Sequence, residues 1–144
     1  MPVVTTMTVR PVGARVVAYV AGGCLIAMFA VIAVALSPEV RSGFTPSQVG
    51  TLVLMLAVVL AVLWGIARST VRTDESGIHV RNGYRSHHVP WADARTVSFG
   101  GGTPWGVLET VDGASIAMIA IQGSDGQYAR TAVQLLRTEI VARH

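Results

Sequence analysis

Residues 70–93 read TVRTDESGIHVRNGYRSHHVPWAD, a run of short extended segments cut by turns. Residues 70–74 and 78–81 are separated by a Ser76-Gly77 turn, and Asn82-Gly83 is a hairpin signal leading into residues 84–89. Pro90-Trp91-Ala92-Asp93 closes the stretch as a turn or single helical turn. The same grammar continues downstream: residues 94–99 form a fourth segment, Gly100-Gly101-Gly102 a connection, and Asp112-Gly113 a second hairpin joining residues 105–111 to residues 115–121. Six strands are expected. From Gly126 to Ala142 the apolar period changes to three and four, with Ala129, Ala132, Val133, Leu136 and Ile140 on one stripe and Arg130, Gln134, Arg137 and Glu139 off it. An amphipathic helix therefore closes the chain, with Leu136 inward and Arg137 outward.

Upstream of residue 70 the expected solvent changes. Residues 16–36 read VVAYVAGGCLIAMFAVIAVAL and residues 49–67 read VGTLVLMLAVVLAVLWGIA, both without a charge. As helices they rise about 31 and 28 Å at roughly 1.5 Å per residue, close to the thickness of a hydrocarbon core. A soluble core helix of this length carries a polar stripe, and neither run does. The expected chain is a membrane protein of α+β class: a cytoplasmic N-terminal segment (1–15), a transmembrane helical hairpin (16–67, spans 16–36 and 49–67) and a separate domain (70–144). Ala33-Val34-Ala35 resembles a cleavage pattern, but the run exceeds the h-region of about 7–15 residues, so an intact anchor is expected. Arg10 and Arg15 precede the first span and Arg68 and Arg72 follow the second, against only Arg41 beside Glu39 between them. That bias places both termini and the domain on the cytoplasmic side of the cell membrane. Tyr19 and Trp64, near the cytoplasmic helix ends, fit the same layout.

Helices in lipid associate through close packing of small residues. Ala14, Ala18 and Gly22 recur every four residues in the first span, as Ala57, Ala61 and Gly65 do in the second. The two stripes are expected to meet in the hairpin, with a homodimer contact as the competing use of one of them. The chain is 51% hydrophobic and 13% charged, against about 25% charge in an ordinary soluble domain. Its net charge of +3 resides before residue 70, whereas residues 70–144 hold seven arginines and seven acids. No nucleic-acid footprint is present. Cys24 is the single cysteine and lies inside the first span, which excludes an internal disulfide or a thiolate metal site.

The segment Asp74-Glu75-Ser76-Gly77-Ile78-His79-Val80-Arg81-Asn82-Gly83, followed by Val89-Pro90-Trp91-Ala92-Asp93, resembles the bacterial pleckstrin-homology (PH)-like membrane proteins of actinobacteria. So does the order of two spans, antiparallel strands and a last helix, and the likeness covers most of residues 16–142. The resemblance implies a small PH-like antiparallel β-barrel or sandwich with a C-terminal α-helix, and a fold more than an activity. The full fold has seven strands, one more than the six read here. Lipid-binding PH domains crowd basic residues after the first strand, whereas Asp74 and Glu75 stand there in this chain. The usual inositol-phosphate pocket is therefore not carried over.

Arg68, Arg72, Arg81, Arg85 and His87 are the candidate headgroup contacts. A three-residue loop at Asn82-Gly83 would put His79, Arg81, Arg85 and His87 on one face, and a two-residue loop would scatter them. His87 and His88 are neighbours on a strand and point to opposite faces, so they cannot share a metal. Gly100-Gly101-Gly102 precedes Thr103-Pro104-Trp105 rather than a Lys-Ser step, so it is no phosphate loop. Glu109 and Asp112 fall on opposing faces with no nearby His or Cys. No catalytic residue, metal or cofactor is expected. Residues 115–121 are apolar on both faces, with Ile116, Met118 and Ala120 on one and Ala117, Ile119 and Ile121 on the other. Only one face can line the core, which makes Ile119 and Ile121 a candidate docking surface. The expected function is a non-enzymatic, membrane-anchored interaction module, an accessory subunit or scaffold of an inner-membrane complex with a membrane-protein partner or a second copy. The alternative is a module that senses anionic lipid at the inner leaflet.

Overall fold

The computed structural model describes residues 6–99 and 102–144, so Gly100 and Gly101 of the expected glycine connection lie outside the described residues. The chain begins with a two-residue strand, β1 (Thr8–Val9), and then enters a long helix, α1 (Val12–Ala35). A short helix α2 (Pro38–Ser42) turns the chain into α3 (Pro46–Ala67). The α3 start is strongly specified: Pro46 takes the first turn and Thr45 and Gln48 form a reciprocal capping box. Both α1 and α3 are long and apolar enough to cross a membrane. They begin four and three residues before the runs read from sequence, because Arg15 in α1 and Pro46, Ser47 and Gln48 in α3 interrupt the apolar run but still belong to the first helical turns.

Six strands follow: β2 (Thr70–Thr73), β3 (Gly77–Asn82), β4 (Arg85–Pro90), β5 (Ala94–Phe99), β6 (Trp105–Thr110) and β7 (Ser115–Gln122). They lie within a residue or two of the expected segments. The last helix, α4, spans Gln127–Ala142. Two antiparallel sheets result, in the orders β1-β2-β3-β4 and β5-β6-β7. The seventh strand is β1, whose Thr8 and Val9 pair with Arg72 and Val71. It comes from the segment expected to be a separate N-terminal piece, and two residues are too few to carry a readable period. The helical pair is thus an insertion between the first two strands of the fold.

One core joins the sheets to α4. Val71, Ile78, Val97, Leu108 and Met118 are fully buried, and α4 adds the expected stripe of Ala129, Ala132, Val133, Leu136 and Ile140. Each such Val, Leu or Ile contributes about 1.5–3 kcal/mol by leaving water. Asn82 ties the sheets together where they open: its amide donates to the Ala117 carbonyl and accepts from the Ile119 N–H. Trp91 is buried, and its indole N–H donates to the Asp74 carbonyl at 2.8 Å.

Several expectations change in three dimensions. Ile121 is in the core, 1% exposed, and is not part of a docking surface. The pairing jumps from Gly106↔Met118 to Trp105↔Gln122, so a bulge interrupts the alternation and turns Ile121 inward. Gly106 makes room for it: a methyl there would stand 3.4 Å from both Ile121 and Met118. Arg137 is exposed but not idle, since its Nε donates to the Val97 carbonyl at 2.9 Å. The small stripes of the helices do not face one another. On α1, Ala18 and Gly22 are buried, with a methyl on Gly22 standing 3.4 Å from Leu60 and 3.8 Å from Leu63. On α3, Ala57 and Ala61 are exposed and Gly65 faces Tyr84 instead. The helices therefore pack large into small, and the α3 stripe serves a different contact.

Candidate functional site

The outer face of β2–β4 is built by register. Arg72, His79 and His88 form one cross-strand row, and Thr70, Arg81 and Ser86 the next. The hairpin loop has two residues, Gly83 and Tyr84, with a positive φ at Gly83 alone, as a turn with glycine first requires. This is the scattering register. His79 and Arg81 pair with His88 and Ser86, while Arg85 and His87 belong to the opposite face of the sheet.

His79 and His88 stack with ring centroids 4.4 Å apart and planes 25° from parallel. At the end of the row, the Asp74 carboxylate accepts from the Ser76 N–H (2.8 Å), the Gly77 N–H (3.2 Å) and the Ser76 hydroxyl (2.6 Å) through one oxygen. Its other oxygen meets His79 Nε2 at 2.7 Å. The Ser76 hydroxyl and then the Ser76 N–H pull the Asp74 pKa down to about 2, with His79 adding to them against a small desolvation cost. Ser76 Oγ, having donated to Asp74, accepts from His88 Nε2 at 3.1 Å. Gly77 is obligatory beside this turn: its φ is +154° and a methyl would meet the Val89 carbonyl.

Ser, His and Asp together invite a nucleophile reading, and the geometry refuses it. A relay needs the two imidazole nitrogens to address serine and carboxylate separately, but His79 presents the same Nε2 to both Asp74 and Ser76. A carboxylate titrating near 2 is also too weak a base to draw the Ser76 proton. Among the described residues no three His, Cys, Asp or Glu side chains are placed to hold a metal. Asp112 is likewise occupied locally, its pKa lowered by the Thr110 hydroxyl and the Ala114 N–H within its turn. Along β2–β4 runs an open groove of about 470 Å³ lined by Arg72, Arg81, His79 and His88 of the outer face and by His87 of the other, with Asp74 its only acid among the described lining residues. Such a surface suits a polar or anionic partner.

The five candidate headgroup residues divide between two places. Arg72, Arg81 and His87 line this groove. Arg85 lies in a second cleft, of about 340 Å³, with Val62, Ile66, Tyr84 and Ile119, and the Arg68 guanidinium sits over the Tyr84 ring at 5.4 Å. Ile119 is half-buried at the α3 end of the domain.

The domain is fastened to the helices at α3 and at α1. The Tyr84 hydroxyl donates to the Ala61 carbonyl, and its ring lies on Gly65, where a methyl would come within 2.9 Å. Ser69, fully buried, donates to the Gly65 carbonyl and accepts from the Gly83 N–H. At α1 the Asp125 carboxylate accepts from the N–H groups of Val12 and Gly13 at 3.2 and 3.0 Å. Pro11, at the N-cap, supplies no side-chain acceptor, so a residue 113 positions away satisfies the helix end and meets its positive dipole. Sequence reading missed both fastenings and the His79–His88 stack, which are relations between distant segments. The one available signal was the cross-strand position of His79 and His88 once a two-residue loop is assumed.

Residues 68–139 match the Bacterial PH domain family. Three uncharacterised mycobacterial proteins, one from Mycobacterium bovis and two from strains of Mycobacterium tuberculosis, are each 32% identical over 128 residues. The match covers 89% of this chain and 77% of theirs. No solved structure matches the chain significantly. The family match covers half the chain, and the mycobacterial match covers most of it, so the chain belongs to the bacterial PH domain family.

Proposed function

We propose that this chain is a membrane-anchored, non-enzymatic PH interaction module, an accessory subunit or scaffold of an inner-membrane protein complex. In this reading residues 16–67 are the transmembrane hairpin, residues 70–144 form the bulk of the PH domain, and both termini are cytoplasmic. The observation that carries the proposal is the double fastening through Tyr84 and Asp125. It ties the domain that carries the polar groove to both long helices, which supports a docking face carried on a membrane anchor. The arginine bias around the helices supports the orientation. The alternative, an anionic-lipid module, draws on Arg68 and Arg85 beside the α3 end.

Orientation is checked by cysteine labelling on a Cys24→Ser background. Ser42→Cys should react with an impermeant reagent outside intact cells and Ser124→Cys should not, and the reverse pattern rejects the topology. Function is checked by purifying the full chain from native membranes in mild detergent. A stoichiometric membrane-protein companion should accompany the wild type and be lost from an Arg72→Glu/Arg81→Glu variant, whereas a chain that always purifies alone rejects the module.

A further inference from the structure

We infer that the free edge of β4 binds an extended acidic segment of a partner protein, which adds to the sheet as a further strand with its carboxylates beside Arg81 and His88. The inference rests on the reading that the β2–β4 groove docks a protein, and it names the conformation and the charge of what docks there.

β4 is the last strand of its sheet, and among the described residues no strand pairs with its outer side. The register fixes which backbone groups are left over. The two-residue turn at Gly83 and Tyr84 makes Asn82 and Arg85 the first hydrogen-bonded pair, and Val80 with His87 and Ile78 with Val89 continue the alternation. Ser86 and His88 fall between these pairs, so their N–H and C=O groups point away from β3. The β2 pairing agrees: Arg81 and His79, which stand opposite Ser86 and His88, turn their own backbone groups to Thr70 and Arg72. A donor and an acceptor thus face outward at every second residue of β4, until Pro90, without an N–H, ends the row. Such a row is a template for another strand, and residues 85–88 are all exposed.

The charges decide which strand. β4 carries no acid; Arg85 and His87 flank the edge on one face and His88 on the other, where Arg81 lies one strand behind the small Ser86. Neighbouring strands are about 4.8 Å apart, so an added strand lies about 10 Å from β3, a gap that an arginine and a glutamate side chain close between them. Asp74, the only acid among the described lining residues of the groove, is already engaged by Ser76, Gly77 and His79. A second copy of this chain is a poor occupant, because pairing β4 with β4 sets the basic residues of each copy beside those of the other, and like charges in opposition are destabilising. An anionic surface would answer the charges and leave the row of backbone groups unpaired. An extended segment rich in Asp or Glu answers both.

The test uses the full chain in detergent micelles and a capped peptide of four Thr-Glu repeats at millimolar concentration. Amide hydrogen exchange at Ser86 and His88 should slow about fivefold or more, as closure of an open edge requires. The same peptide N-methylated at every residue keeps its charge but cannot donate, and it should protect neither amide. Arg81→Gln should weaken binding about threefold, the scale of one cross-strand charge pair. Ser86→Pro removes an outward N–H and no β3–β4 bond, so it should keep the melting temperature and lose about tenfold in affinity. Arg130→Gln, exposed on α4, should bind as the wild type does. Unprotected Ser86 and His88 amides, or an N-methylated peptide that binds equally well, would overturn the added strand. So would the same protection from phosphatidylglycerol vesicles, or from raising the concentration of the chain without peptide. The module and its edge fail separately: a native companion lost from Arg72→Glu/Arg81→Glu but kept by Ser86→Pro rejects the edge alone, and a chain that always purifies alone rejects the module.

Discussion

The helical pair and the sheet domain use apolar residues in opposite ways. On α1 and α3 many apolar side chains are exposed: Val34 is 81% exposed, Leu54 63% and Val17 65%. In the domain the same residue types are enclosed, with Val71, Ile78, Leu108 and Leu136 at 0%. The helices touch through a narrow seam, Leu60 and Leu63 against Gly22, whereas the domain closes on a continuous core. In the reading that the helices span a membrane, the exposed set is solvated by lipid and loses nothing by exposure. An apolar residue is therefore worth most at a position where the fold, rather than the solvent, covers it.

That contrast is most easily broken at its two extremes. Leu136→Ala should destabilise the domain by about 2–4 kcal/mol, as truncation of an enclosed leucine does. Ile121→Ala should fall in the same range, because the β7 bulge places it in the core. Leu54→Ala, exposed on α3, should stay within about 0.5 kcal/mol. Chemical denaturation of the full chain in detergent, followed by the fluorescence of buried Trp91, separates them. An Ile121→Ala chain as stable as wild type would restore that residue to the surface.

The difference between the regions also governs what sequence can reveal. Within the domain, six strands and α4 are legible because period-two and period-three-to-four patterns are written in contiguous residues, and Leu136 and Ile140 are correctly assigned by them. β1 is illegible because Thr8 and Val9 are too short to show a period, and their pairing with Arg72 and Val71 crosses the whole helical insertion. Ile121 is misread because a bulge shifts the period inside a strand. The α3 stripe of Ala57, Ala61 and Gly65 is recognised as a notch but assigned to the wrong occupant. Nothing local says that Gly65 receives Tyr84 from a hairpin nineteen residues later. For the site, Arg72 and Arg81 are singled out from sequence and both line the groove, while the Asp74–Ser76–His79–His88 cluster is not foreseen, since it depends on a register that one loop residue decides.

The junction where the two regions meet sharpens the comparison at intermediate cost. Gly65→Leu should lose about 1–3 kcal/mol, because a side chain would drive into the Tyr84 ring and overpack the contact. The loss should vanish in the Tyr84→Ala background, and a double-mutant cycle measures that coupling. A Gly65→Leu cost that persists without Tyr84 would mean that Gly65 serves the helices. At the other fastening, Asp125→Ala should cost about 1 kcal/mol, the usual value of a lost cap. Asp125→Asn should recover part of it, since the amide oxygen still accepts from Val12 or Gly13 but no longer meets the dipole with a charge.

The smallest expected effect is a dependence on acid that belongs to the domain alone. Asp74 has its pKa lowered from 3.8 to about 2 by Ser76 first and by His79 in addition. The unfolded chain therefore binds the proton more readily than the folded one, and the native state is favoured wherever Asp74 is ionised in both. Its contribution is fully present above about pH 4 and is lost as the pH falls through 3.8 toward 2. Asp112, whose pKa is also lowered, adds a loss of the same sign in its own hairpin turn. Asp74→Asn should flatten part of the acid limb of a stability-against-pH curve without abolishing it, and should leave the curve above pH 5 parallel to wild type. The reason for a partial effect is local: the amide can still accept from Ser76 and Gly77, but it no longer gains a charge when the carboxylate would. The same substitution should loosen the His79–His88 stack, which histidine ring resonances in a spectrum of the full chain would report. An acid limb unchanged by Asp74→Asn would show that the turn holds its shape through Gly77 and the strand pairing, and that the Asp74 carboxylate serves the groove rather than the fold.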